Sequence, residues 1–302
     1  MEITSYKVGK IFKINNKIFK HKKIEVVKNL NYVIKQGEIV ALMGMASSGK
    51  STIVKLLSGR EIPTSGKIFV DGELNYKKLR ENCEIIDDLN KTKFLLNESV
   101  YNNLVFLGNK FKISSLDIEK RIVDLRDVLD LEKVINKKVN ELDKLDLVKL
   151  NIAVTMLKNP LAVFFDNALV NLNAITKNLI LKLLKRINKE FKTTIVIASV
   201  DITDIEKICK RVSVVQNGEI VLDGEFEEIK NKYWKDKMIS ITFNKSFNIP
   251  KGEFEIIENS DYFLKIKINL DKCDFATLIN QFDVCTIVDI NIGNVPLTVY
   301  NS

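Results

Sequence analysis

Residues 44–52 of this 302-residue chain read GMASSGKST, between the apolar run Ile39–Met43 and the helix-like segment STIVKLLS, which ends at Gly59. In the pattern G-x-x-x-x-G-K-[ST], the glycines let successive backbone N–H groups turn toward a phosphate. The lysine adds a point charge at the β and γ phosphates, and the hydroxyl reaches a magnesium ion. Gly44, Met45, Ala46, Ser47, Ser48, Gly49, Lys50, Ser51 and Thr52 are therefore expected to bind ATP, with Ser51 on Mg2+. A chance glycine-rich turn would lack the buried strand before it and the helix after it.

The rest of the chain builds around that unit. From Met1 to Lys35, short alternating apolar segments such as KIFKI and IEVVKNLNYVI suit antiparallel strands with one polar face. PTSGKIFVDG reads as a strand between two turns, and a charged stretch with helical periodicity in NESVYNNLVFL and SLDIEKRIVDLRDVLDL reads as a helical insertion. Next come a helix stopped by Pro160, the buried strand LAVFFD, an amphipathic helix around Ile175 to Phe191, the buried strand TTIVIAS, and a hairpin turning at Asn217-Gly218. Strands alternating with helices imply a mostly parallel sheet. Beyond Lys237, three strands, a helix and a strand form a small α+β appendix.

Asp166 closes LAVFFD, where an acid holds magnesium in P-loop enzymes or, alternatively, caps the following turn. An apolar content of 46% with 28% charged residues describes an ordinary globular protein. No apolar run of about 18 residues is present, so a cytosolic protein is expected. Four cysteines without a CxxC pair argue against a disulfide framework or zinc site. The net charge of +8 is spread among acids, which favours a solvated lysine-rich surface over nucleic acid as a partner. Its densest stretch, KIFKHKK at 17–23, could face nucleotide phosphates.

GEIVALMG, PTSGKIFVDG, NIAVTMLKNPLAVFFDN, TTIVIASVD and ICKRVSVVQNGEIVLDG stand in an order and spacing that resembles the ATP-binding subunits of ABC transporters. The resemblance implies an α/β fold: a RecA-like P-loop NTPase core with an antiparallel β subdomain and a helical subdomain, plus a small C-terminal α+β domain. It places the ATP-binding domain at residues 1–232, the helical subdomain at about 89–158 and the accessory domain at 233–302. VLDGEFEEIKNKY and the tail with VPLTVY are most similar to ABC-2 type exporter ATPases.

Several family positions depart from the pattern. The glutamate that orients or deprotonates the attacking water is Asn167, which can hold a water but cannot take its proton at neutral pH. The γ-phosphate histidine is Val200, which offers no hydrogen bond. The LSGGQ signature corresponds to Leu142, Asp143, Lys144, Leu145 and Asp146, where two aspartates would repel a phosphate and Lys144 partly offsets them. The glutamine facing the membrane subunit corresponds to Asp88, which could still ligate magnesium, and Asn173 stands at the D-loop aspartate. His21, with Phe19 as an alternative, matches the adenine-stacking aromatic, although His21 could equally be a solvent-exposed side chain.

The resemblance thus implies an ATP-binding subunit that binds Mg-ATP and dimerises with another ATPase subunit, an intact paralogue. It would serve a membrane-spanning permease from the cytoplasmic face of the membrane, as a peripheral protein with weak or absent hydrolysis. The competing expectation is a non-transport ATP-binding regulatory protein of the same fold.

Overall fold

The computed structural model describes residues 1–16, 19–89, 94–170, 172–201, 205–233, 236–269 and 272–294, with the side chains of 14–16, 19–22, 232–233 and 294 left aside. Two compact units result, Met1–Asp223 and Gly224–Ser302.

The first unit is organised by a six-stranded sheet. Its strands are β3 (Ile39–Met43), β5 (Cys83–Ile86), β6 (Ala162–Asp166), β7 (Thr194–Ser199), β8 (Arg211–Gln216) and β9 (Glu219–Glu225), in the order β5-β6-β7-β3-β8-β9. The first five run parallel: Val40 pairs with Val196 on one side and Arg211 on the other. Their interiors are continuous apolar runs because both faces are covered. All six β7 residues are buried, as are four of the five in β6. In register, Met43 lies opposite Ser199 and Asp166 opposite Ala198, so the carboxyl ends of β3, β7 and β6 finish together. Ligands bind at such an edge in open α/β sheets.

Helices α1 (Lys50–Leu57) and α6 (Ala174–Phe191) bury apolar stripes, and Asn173 caps α6 by accepting the Thr176 N–H at 2.8 Å. A second, antiparallel sheet holds β1 (Ile3–Asn16) between β2 (Phe19–Ile34) and β4 (Ser65–Val70). Between β5 and β6 lie α3 (Val100–Lys110), α4 (Ser115–Val128) and α5 (Lys144–Met156), with Ser99, Ser114 and Asp143 as side-chain N-caps. These are the helices whose periodicity the sequence displays. The short α2 (Tyr76–Asn82) and β5 it does not display. β5 is four residues at a sheet edge, and Glu84 within it pairs with Arg60 at 3.4 Å and Lys158 at 3.1 Å, so an edge charge hides the strand pattern.

The β8–β9 hairpin is anchored from both ends. At its base, Arg211 donates to both Asp223 carboxylate oxygens at 2.8 and 2.7 Å and to Glu38 at 3.1 Å, while Ser213 bridges Asp223 and the buried Tyr32 hydroxyl. At its tip, Asn217 and Gly218 have φ of 50° and 83°, as a tight hairpin turn requires. The Gly218 N–H donates to the Ser48 carbonyl at 2.8 Å, and its carbonyl accepts the Lys28 N–H at 3.0 Å.

The second unit carries α7 (Phe226–Tyr233) and a four-stranded antiparallel sheet of β10 (Asp236–Phe243), β11 (Phe254–Ser260), β12 (Phe263–Asn269) and β13 (Ile287–Asn294), ordered β11-β12-β10-β13. Ile239, Ile241, Leu264, Ile266 and Ile268 alternate on one face and pack with Leu278 of α8 (Phe275–Ile279). The segment VPLTVY lies outside the described residues. Among the described residues, no helix is long and apolar enough to cross a membrane.

A side chain on Gly218 would meet the Val26 carbonyl oxygen at 2.1 Å, in a left-handed conformation that already disfavours L residues. Gly218→Ala is expected to lower unfolding free energy by about 2 kcal/mol or more, read from urea melts. An unchanged midpoint would mean that this turn does not hold the loop.

Candidate functional site

The loop between β3 and α1 closes against β8: a Cβ on Gly44 would come within 2.3 Å of the Val215 carbonyl oxygen. Gly49, at φ 108°, caps α1 without offering a side-chain acceptor. The first-turn N–H groups have no intrahelical partner and form the positive end of the helix dipole. Lys50 is buried, and its ammonium donates to the carbonyls of Gly44 at 2.7 Å and Met45 at 2.8 Å, with the Ser48 hydroxyl at 3.4 Å. Burial draws its pKa below the ordinary lysine range, and nearby Asp166 pushes it back up. A buried cation close to the N–H groups that head a helix is a site for polyphosphate.

Across from it, the Ser51 hydroxyl donates to Asp166 Oδ1 at 2.8 Å. The Asn167 amide nitrogen donates to the same oxygen at 3.2 Å, and the Asn167 N–H donates to the Ala198 carbonyl at 3.0 Å. Of these groups Lys50, Ser51 and Asn167 line an open cavity of about 730 Å³. Lys50, Ser51 and Thr52 lie on one side, Asn167, Val170 and Val200 on another, and Ile24 and Val26 of β2 supply an apolar wall. A hydroxyl and a carboxylate in contact suit Mg2+, which takes few protein oxygens and completes its shell with phosphate and water. Among the described residues no cluster of three acidic, His or Cys side chains could hold a metal by itself. The residues present therefore fit Mg-ATP.

Most residues of the loop and both altered positions, Asn167 and Val200, converge on this one cavity. Others stand elsewhere. Asp88 is exposed just past β5, at the outer edge of the sheet, and does not line the cavity. The side chains of His21 and Phe19 lie outside the described residues, as does much of the 17–23 basic stretch. Leu142 to Asp146 cross the start of α5. Asp143 Oδ1 accepts the Asp146 N–H at 2.8 Å, and the Asp146 carboxylate pairs with Lys149 at 3.2 Å. Ile24, Val26 and Val170 are additions that the sequence reading missed. Only the spacing of Ile24 and Val26, two residues apart on one strand face, offered any signal.

The ABC transporter family model matches residues 27–170. The chain is 31% identical over 242 residues to the methionine import ATP-binding protein MetN 1 of Oceanobacillus iheyensis, covering 77% of this chain and 71% of that one. Against the MetN of Clostridioides difficile the identity is 30%, over 76% of this chain and 73% of the relative. A Francisella tularensis MetN is 33% identical, with only 59% of its length spanned. Among solved structures, CbiO1 of Clostridium perfringens, described as part of the transporter complex cbiONQ, superposes with a TM-score of 0.65 at 26% identity, over 76% of this chain and 90% of that one. A dimeric ATP-binding cassette in a post-hydrolysis state with ADP and Pi gives a TM-score of 0.59 at 25% identity, over 74% and 98%.

Lys50→Met removes the one cation that lines the cavity among the described residues. It is expected to weaken nucleotide affinity by more than about tenfold in equilibrium titrations. Retained affinity would move the site elsewhere.

Proposed function

We propose, from the premise that this chain belongs to the ABC transporter family and is one of its ATP-binding subunits, that it holds Mg-ATP, pairs with a second ATPase subunit and turns ATP over slowly or not at all. The observation that carries this reading is the side chain beside Asp166. Bound magnesium would neutralise phosphate charge, but hydrolysis also needs a group to take a proton from water. Asn167 faces the cavity with a neutral amide whose nitrogen donates a hydrogen bond to Asp166, so it can hold a water but cannot take its proton. Val200, at the end of β7, adds no donor.

The surface offered to a partner is altered as well. The N-terminus of a helix attracts an anion, yet α5 already holds the Asp143 carboxylate, with Asp146 in its first turn. A phosphate approaching it would compete with a tethered carboxylate. In a composite site built from two subunits, this chain weakens its own half and the half it presents. We therefore favour a heterodimer in which an intact paralogue carries most of the turnover.

Residues 1–232 would form the ATP-binding domain and 233–302 an accessory domain, with the subunit peripheral on the cytoplasmic face of the membrane beside a permease. Cargo and direction belong to that permease. The names of the relatives speak for import and the residues VLDGEFEEIKNKY for export; transport assays in vesicles of both orientations would decide. The separate core of the Gly224–Ser302 unit also suits a regulatory protein outside transport, a reading that co-purification with a polytopic membrane protein would remove.

The purified chain alone is expected to bind Mg-ATP with steady-state turnover at least about a hundredfold below that of an ordinary member of the family, since general-base catalysis supplies about that much. Asn167→Glu should raise turnover once an intact partner is present. Ordinary turnover by the unmodified chain would overturn this reading.

A further inference from the structure

We propose that a second cavity, bounded by α4 and by the C-terminal ends of α5 and α6, binds a free amino acid with an apolar side chain. It measures about 300 Å³, the lower end of the range for small-molecule sites, and shares no lining residue with the nucleotide cavity. Asp117, Lys120, Arg121 and Asp124 reach it from one face of α4, at the i, i+3, i+4, i+7 spacing. Leu125 and Met156, both buried, and the half-buried Phe191 give it an apolar floor. Its walls are held in place by two ties. Arg121 donates to the carbonyl of Leu157, the residue that caps α5. At the end of α4, Arg186 of α6 donates to the Asp130 carboxylate at 2.7 Å and to the Asp127 carbonyl at 2.6 Å. A cavity with fixed walls loses little free energy to ordering when a ligand enters.

The charges at the rim select the ligand. Opposite charges four residues apart on a helix ordinarily pair with each other. Lys120 and Asp124 do not: both are exposed at the rim and, among the described residues, unpaired. Arg121 uses one of its five donors on Leu157, whereas Asp117 is engaged by the Ser114 hydroxyl at 2.6 Å. Helices α5 and α6 both end at the cavity, at Met156 and Phe191, and helix C-termini favour a cation. A ligand ammonium therefore meets Asp124 and two helix ends, a carboxylate meets Lys120 and the remaining N–H groups of Arg121, and an apolar arm meets the floor. Two carboxylates against two cations give the site no net charge, so a simple anion or cation gains less than a molecule carrying both signs. An α-amino acid carries them on one carbon, close enough to lie between side chains one helical turn apart. The cavity stands at the opposite end of α5 from residues 142–146, so an occupant rests against the far end of that helix.

The test is calorimetric titration of the full chain with L-leucine, with 4-methylpentanoate, which lacks the ammonium, and with 3-methylbutylamine, which lacks the carboxylate. Saturable one-to-one binding of leucine with a Kd below about 1 mM is expected, and binding at least about tenfold weaker for each of the other two. Asp124→Asn and Lys120→Gln, both at exposed positions of α4, should each weaken leucine about tenfold or more, because hydrogen bonds between charged groups are worth about that much. No saturation by leucine up to about 10 mM overturns the inference, as does equal binding of either comparison compound. Leucine binding that survives both substitutions overturns it as well, by placing the ligand elsewhere on the chain.

Discussion

A single hydrogen bond of 2.8 Å, from the Ser51 hydroxyl to the Asp166 carboxylate, joins the start of α1 to the end of β6 and defines where a metal can sit. Ser51 lies in the helix that follows β3 and Asp166 ends β6, and these strands are not neighbours, since β7 lies between them. Their meeting depends on parallel register across three strands. A slip of one residue in β6 would turn Asp166 to the opposite face of the sheet. The fully buried β7 makes such a slip costly, because every one of its side chains is packed.

The positions that depart from the family pattern have taken on local structural work. Asn167 sits at φ 55°, a left-handed conformation that asparagine tolerates better than most residues, and its amide steadies Asp166. Asp143 and Asn173 each cap the helix that follows. Each of these residues thus has a structural partner of its own in the fold.

The loop was legible because its glycines, lysine and hydroxyl lie within nine consecutive residues, and local spacing is what a sequence displays. β3, β6 and β7 were legible for a related reason: burial on both faces leaves uninterrupted apolar runs. β5 was hidden because it is short, lies at an edge and carries Glu84 in ion pairs. Asp143 was read only as a failed signature residue, although an aspartate ahead of a helical pattern with an acid three places on is also a capping signal. The apolar wall of Ile24 and Val26 belongs to a strand far from the loop in sequence, so its membership of the cavity follows from tertiary structure alone.

The tip of the β8–β9 hairpin is bonded on one side to Ser48 of the loop and on the other to Lys28 of β2, the strand that also supplies Ile24 and Val26. Loop floor, hairpin and apolar wall are thereby riveted into one rigid block around the inner half of the cavity. Asn167 and Val170 follow β6 and Val200 follows β7, so they are tied to the hairpin through the parallel sheet and not by those two bonds. A change at the hairpin tip therefore reaches the loop floor and the apolar wall together.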